Sequence, residues 1–189
     1  SAVPSEGKTL TACNLALTLS ESYQKRVLLI DGDLRRPTLQ EMFRINASSG
    51  LSESLLASSD ETKLLIRQVS PNLSLLPAGR PSSDPMASLT SDRMRRLLEE
   101  ARETFDWVII DTPPLVLLPD ANLLAPMADG VILVVRAEST PHSLVSRAID
   151  AIGRNRTLGV VLNRAQNDQG SYGGYQYYSY SPSDAKGRR

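Results

Sequence analysis

Three short stretches carry residue types whose spacing suits joint chemistry. The first is AVPSEGKT at residues 2–9. In such a loop Gly7 lets the backbone curl until successive N–H groups converge, which makes a cradle for phosphate oxygens. Lys8 then reaches the β- and γ-phosphates, and the Thr9 hydroxyl ligates Mg²⁺. A helix starting here adds the partial positive charge of its N-terminus. The nucleotide-contacting stretch is therefore expected to be Pro4, Ser5, Glu6, Gly7, Lys8, Thr9 and Leu10, with Ala2 where the pattern usually has glycine.

The second stretch is VLLIDGDLRRP at residues 27–37. A buried strand would deliver Asp31 and Asp33 at its C-terminal edge, where open α/β sheets bind ligands. If the strand persists, the two carboxylates share a face. The third stretch, WVIIDTPP at residues 107–114, runs four apolar residues into Asp111. That is how a strand carries one carboxylate to a Mg²⁺ shell. An apolar run ending in aspartate is common by itself. All three in this order point to a nucleoside triphosphate bound with Mg²⁺, the metal oxygens coming from Thr9, Asp31 and Asp111.

Strands that end together must position these loops. Apolar runs at residues 27–30, 73–76, 107–110, 131–135 and 158–162 read as strands. Their near-continuous hydrophobicity predicts that both faces are covered, as in parallel sheets. Helices are predicted over residues 9–20, 91–104 and 140–152. The second has Met94, Leu97, Leu98 and Ala101 at helical spacing behind Ser91 as N-cap. The third opens on a Thr-Pro cap and ends at Gly153. Short helices are expected around Leu51 and Leu64, and Asp120 as the N-cap of a further helix. Alternating strands and helices predict a doubly wound α/β domain with a mostly parallel sheet over residues 1–163. No strand precedes the first loop, so the first strand of the fold is expected to be truncated.

Composition narrows the function. The 189 residues suit one domain with an appendage. The single cysteine, Cys13, excludes a disulfide framework within one chain and fits a reducing compartment. Lys and Arg number 21, as do Asp and Glu. Without a global basic field, a nucleic-acid partner is not expected. The longest aliphatic run, residues 131–135, is far short of the roughly 20 residues of a membrane span. His142 reads as an exposed first-turn residue and Cys13 as packed.

From Arg164 the composition changes. Residues 164–189 hold five of the six tyrosines and almost no aliphatic side chains. Such a segment cannot bury a core of its own and reads as a flexible tail. Extended, the chain from Arg164 to Tyr178 spans up to roughly 45–50 Å. A tail of this kind equally suits a strip for partner docking.

Taken together, the chain resembles the bacterial tyrosine kinases of capsule and exopolysaccharide synthesis. These are P-loop ATPases with a deviant Walker motif, akin in fold to the partition and septum-placement ATPases. The resemblance rests on AVPSEGKT, LLIDGDLR and VIIDTPP, and on LPAG at residues 76–79, Asp84-Pro85, ADGVILVVR at residues 128–136, GVVLN at residues 159–163 and the tyrosine-rich end. It implies ATP and Mg²⁺ as cofactors, with Lys8, Asp31 and Asp33 catalytic and Asp111 as the Walker B carboxylate. It places Asn163 near the adenine and makes Tyr172, Tyr175, Tyr177, Tyr178 and Tyr180 the phosphoacceptors, presented to the same or a neighbouring subunit. It further implies a homo-oligomer in the full-length protein and an activating membrane protein that controls polysaccharide chain length. The location would be the cytoplasmic face of the bacterial cell membrane. The upstream Glu/Arg oligomerisation motif of many relatives is not in this sequence.

The partition ATPases carry a signature lysine early in the phosphate loop, where this chain has Ala2, Val3 and Pro4. That favours the kinase over a nucleotide-switched ATPase without tyrosine transfer, or an ATP-binding docking subunit. A tyrosine phenol, with a pKa near about 10, must shed its proton during attack. Asp31 or Asp33 would accept it, and spacing does not divide the roles.

Overall fold

A strand of sequence VLLID, buried at every position, runs through the middle of the molecule. The computed structural model describes residues 1–56, 65–115 and 120–165. In chain order the elements are α1 (Lys8–Leu17), continued by a π-helical turn (Thr18–Ser22), β1 (Val27–Asp31), α2 (Leu39–Met42), α3 (Leu51–Leu56), β2 (Arg67–Ser70) and β3 (Leu73–Leu76). Then come α4 (Pro85–Thr90), α5 (Asp92–Thr104), β4 (Trp107–Asp111), α6 (Asp120–Leu124), β5 (Val131–Arg136), α7 (His142–Ile152) and β6 (Thr157–Asn163). Among the described residues no helix is long and apolar enough to cross a membrane.

β1 pairs in parallel with β3 on one side and β4 on the other, within a four-stranded sheet of order β2-β3-β1-β4. The alternating residues of β1 feed two cores. Leu28 and Ile30 pack with Leu51, Leu76, Leu89, Met94 and Leu97. Val27 and Leu29 pack with Cys13, Ala16, Leu39, Leu73 and Leu75. Each such leucine contributes about 1.5–3 kcal/mol by leaving water, so α1 is held firmly beneath the sheet. The β1–β4 register sets Asp31 level with Asp111, side by side at the C-terminal ends of neighbouring strands.

β2 is the antiparallel exception, a hairpin partner of β3. Its sequence RQVS has no apolar run, which is why periodicity does not reveal it. The expected strands are all present; β3 matches its apolar run, and the others are one or two residues longer. Ser91 caps α5 as expected, its hydroxyl accepting from Met94 N. Two expectations need correction. α7 begins at His142 with no side-chain cap, because the Thr140 hydroxyl is bonded elsewhere. And β1 stops at Asp31, so Asp33 lies in the following loop and not on a shared strand face. The helix expected around Leu64 falls outside the described residues, as does the Asp120 side chain.

β5 and β6 form a separate parallel pair. α7 covers β5, where Leu133 and Val135 pack with Ala148, Ile152 and also Ala2. Ser1 O accepts from Leu115 N at 2.8 Å. The first residues therefore touch both β5 and the loop after β4. β6 departs from the expectation of two covered faces, with Leu158 72% and Leu162 65% exposed. Among the described residues it is bonded on one side only, and α7 lies over its neighbour.

Candidate nucleotide site

The loop that enters α1 is built on left-handed backbone. Gly7 is the N-cap at φ 91°, and Ser5 has φ 63°. An L side chain at position 7 would be strained and would also collide. A Cβ there would stand 1.9 Å from Asn163 Nδ2, which donates to Glu6 O at 2.8 Å. The amide can swing away only by giving up that bond. Gly7→Ala is therefore expected to destabilise the fold by about 1–3 kcal/mol and to weaken nucleotide binding. Thermal unfolding with and without Mg-ADP reads both.

Lys8 bridges the first and third motifs. Its Nζ lies 2.8 Å from Asp111 Oδ1 and 3.1 Å from Thr9 Oγ1. The Asp111 side chain is 1% exposed, and its other oxygen, Oδ2, is buried with no hydrogen-bond partner among the described residues. A buried carboxylate oxygen without a donor is costly, and it is what a hard divalent cation would satisfy. Thr9 Oγ1 and Asp111 are oxygen donors of the kind Mg²⁺ takes, and Asp31 ends the neighbouring strand level with Asp111.

Asp31 is fully buried. Oδ1 accepts from Asp33 N at 3.2 Å, and Oδ2 accepts from Thr38 N at 3.1 Å and Leu39 N at 3.0 Å. The carboxylate thereby shapes the loop leading into α2. Burial pushes its pKa up to about 6, the Asp111 charge adds to the rise, and the three N–H groups oppose it. Asp33 is only half-buried, with Oδ1 accepting from Arg35 N and Arg36 N. The two acids thus differ in character: one is interior and level with Asp111, the other is on the rim. Cys13 is packed as expected. Burial first, then the charges of Asp111 and Asp31, pushes its thiol up to about 11, which leaves it unreactive. His142 bears on none of these groups and faces Ser146.

Three residues expected near the nucleotide have the following surroundings. Leu10 is 52% exposed on the outside of α1. Asn163 supports the loop through the Glu6 carbonyl. The Glu6 side chain turns inward, away from the mouth of the loop, and is bound by Val3, Arg136 and Thr140. Sequence reasoning gave Arg136 and Thr140 no place in the site. They lie 130 and 134 residues from Glu6, and no local pattern marks the contact. The tyrosines from Tyr172 to Tyr180 fall outside the described residues.

Comparison with known proteins gives this geometry its relatives. A family model described as an AAA domain matches residues 5–157. The tyrosine-protein kinase YwqD of Bacillus subtilis is 35% identical over 93% of this chain and 74% of its own length. The succinoglycan biosynthesis transport protein ExoP of Rhizobium meliloti is 37% identical over 91% of this chain, but over only 22% of its own length. Among solved structures, the kinase domain of the Escherichia coli tyrosine kinase ETK superposes with a TM-score of 0.82 at 31% identity, covering 94% of this chain and 71% of that one. Lys8, Thr9, Asp31 and Asp111 all lie within the residues that the family model matches. The chain belongs to the bacterial tyrosine-protein kinases, within the AAA-domain family.

Proposed function

We propose that this chain is an ATP-dependent tyrosine autokinase that modifies its own tyrosine cluster and thereby regulates capsule or exopolysaccharide synthesis. The observation that carries the reading is the cluster at the loop mouth. There the phosphate-loop lysine contacts the carboxylate that ends β4, and that carboxylate keeps one buried oxygen without a donor. When bound, Mg-ATP supplies the transferable phosphoryl group and the divalent charge that helps to neutralise it. Thr9, Asp111 and Asp31 would hold the metal. Lys8 offsets charge on the β- and γ-phosphate oxygens, and the curl at Gly7 aims the loop at them. The phenol proton passes to Asp31 or Asp33. Among the relatives, YwqD is named a tyrosine-protein kinase and ExoP a polysaccharide transport protein, which supports both halves of the proposal.

The acceptors are Tyr172, Tyr175, Tyr177, Tyr178 and Tyr180, carried on a tail at residues 164–189 and presented to a neighbouring subunit of a homo-oligomer. Each phosphate would add about −1.5 to −2 charges, and the crowded anions would loosen that assembly. A membrane regulator of polysaccharide chain length is the activator, and the cytoplasmic face of the membrane is the place. Mass spectrometry of the tail peptide after incubation with Mg-ATP, beside a Lys8→Met control, tests the reading. Several phosphates between Tyr172 and Tyr180, absent from the control, are expected. A bare tail with ATP still hydrolysed would assign a nucleotide-switched ATPase instead.

A further inference from the structure

Glu6 sits in a loop whose task is to receive phosphate, and its charge opposes that of the ligand. Its position nevertheless looks built. The residue is 1% exposed, and both carboxylate oxygens are taken by donors of the chain. Oε2 accepts from Val3 N at 2.8 Å. Oε1 accepts from Arg136 N at 3.2 Å and from Thr140 Oγ1 at 2.5 Å. Hydrogen bonds to an ionised carboxylate are shorter and stronger than neutral ones.

Arg136 ends β5, and Thr140 closes the turn that follows, its N–H donating to Arg136 O at 3.2 Å. Within that turn Glu138 adopts a left-handed φ of 57°. The same turn is joined to β6 by Ala137 N donating to Asn163 O at 2.9 Å. Asn163 Nδ2 in turn donates to Glu6 O at 2.8 Å. The hydrogen bonds therefore close a circuit from phosphate loop to turn, from turn to β6, and from β6 back to the loop.

We propose that Glu6 is a positioning residue for the phosphate loop and acts through Thr140. The carboxylate clasps the loop to the turn between β5 and α7. It thereby fixes the left-handed curl at Ser5 and Gly7 on which the phosphate cradle depends. The proposal rests on the nucleotide-site reading above and adds to it a residue that works from behind the loop.

The test is the affinity of a fluorescent ADP analogue with Mg²⁺ for the full chain, measured beside thermal unfolding without nucleotide. The variants are Thr140→Val, Thr140→Ser, Glu6→Gln and the double variant Glu6→Gln/Thr140→Val. Thr140→Val deletes the hydroxyl with little change of shape and should weaken Mg-ADP binding about tenfold, the effect of losing one charge-assisted hydrogen bond. Thr140→Ser restores the donor and should restore affinity. The double variant should bind no worse than Glu6→Gln alone. A Thr140→Val chain that melts earlier yet binds as tightly as wild type would reduce the clasp to a structural contact and overturn the proposal. Fully additive single variants would overturn it as well. Lys8→Met separates the two levels. If wild type bound no better than that variant, the nucleotide-site reading would fall and the clasp with it.

Discussion

Replacing Lys8 by methionine is expected to abolish tyrosine phosphorylation and to destabilise the fold, by two separate routes. Phosphorylation falls by about 10²–10³-fold or more, because a preorganised cation facing the charge that develops on the phosphate is lost. Stability falls because Asp111, 1% exposed, loses the ammonium 2.8 Å away. Breaking a buried pair from one side costs about 3–5 kcal/mol. In a chain of this size that lowers the melting temperature by roughly 6–15 °C. The two routes can be separated. Adding Asp111→Asn to Lys8→Met removes the stranded charge, so melting should recover in part while phosphotyrosine stays absent. A Lys8→Met chain that melts with wild type would show that Asp111 does not depend on its partner.

The second large effect concerns Asp31. Its carboxyl is held at about 6 by burial, above the ordinary 3.8, so the folded chain binds this proton more tightly than the unfolded one. The stabilisation it brings is complete below the unfolded value and is lost as pH rises through about 6. Above neutrality the buried charge costs the fold about 3 kcal/mol. Asp31→Asn carries no charge. Its amide nitrogen must, however, face an N–H that the carboxylate accepted, returning about 1 kcal/mol of the gain. The variant should therefore melt above wild type at pH 8 by a few degrees, and the gap should close and reverse towards pH 4. Its phosphorylation should fall by about 10²-fold or more. A gap that does not change with pH would separate Asp31 from the titration.

The positions of the chemistry were legible because each motif couples a residue type to a backbone requirement. Gly7 must be left-handed, and it is. Asp31 and Asp111 had to end parallel strands, and the register sets them level. β2 was not legible, since an edge strand pairing on one side needs no apolar run. α2 escaped because its start is set by the remote Asp31 carboxylate accepting from Thr38 and Leu39 N–H groups, not by a local cap. Thr140 shows the same limit from the other side. Thr-Pro before a helix is a capping signal, yet the hydroxyl serves Glu6 at the far end of the sequence. Local pattern says which groups a residue can satisfy, whereas the fold decides which of them it meets.

The bond from Asn163 to the Glu6 carbonyl joins positions 157 residues apart, and this separation bears on when the molecule becomes competent. The sheet around β1 and the β5–α7–β6 unit can each assemble from its own stretch of chain. A contact spanning almost the whole sequence carries the largest loop-closure entropy and forms late. During synthesis the phosphate loop emerges well before β6, so its rear support cannot close until β6 has followed. The tyrosines proposed as acceptors, from Tyr172 to Tyr180, follow β6 in the sequence. On the proposed reading, a chain therefore completes its phosphate loop at nearly the stage of synthesis at which its acceptor tail emerges.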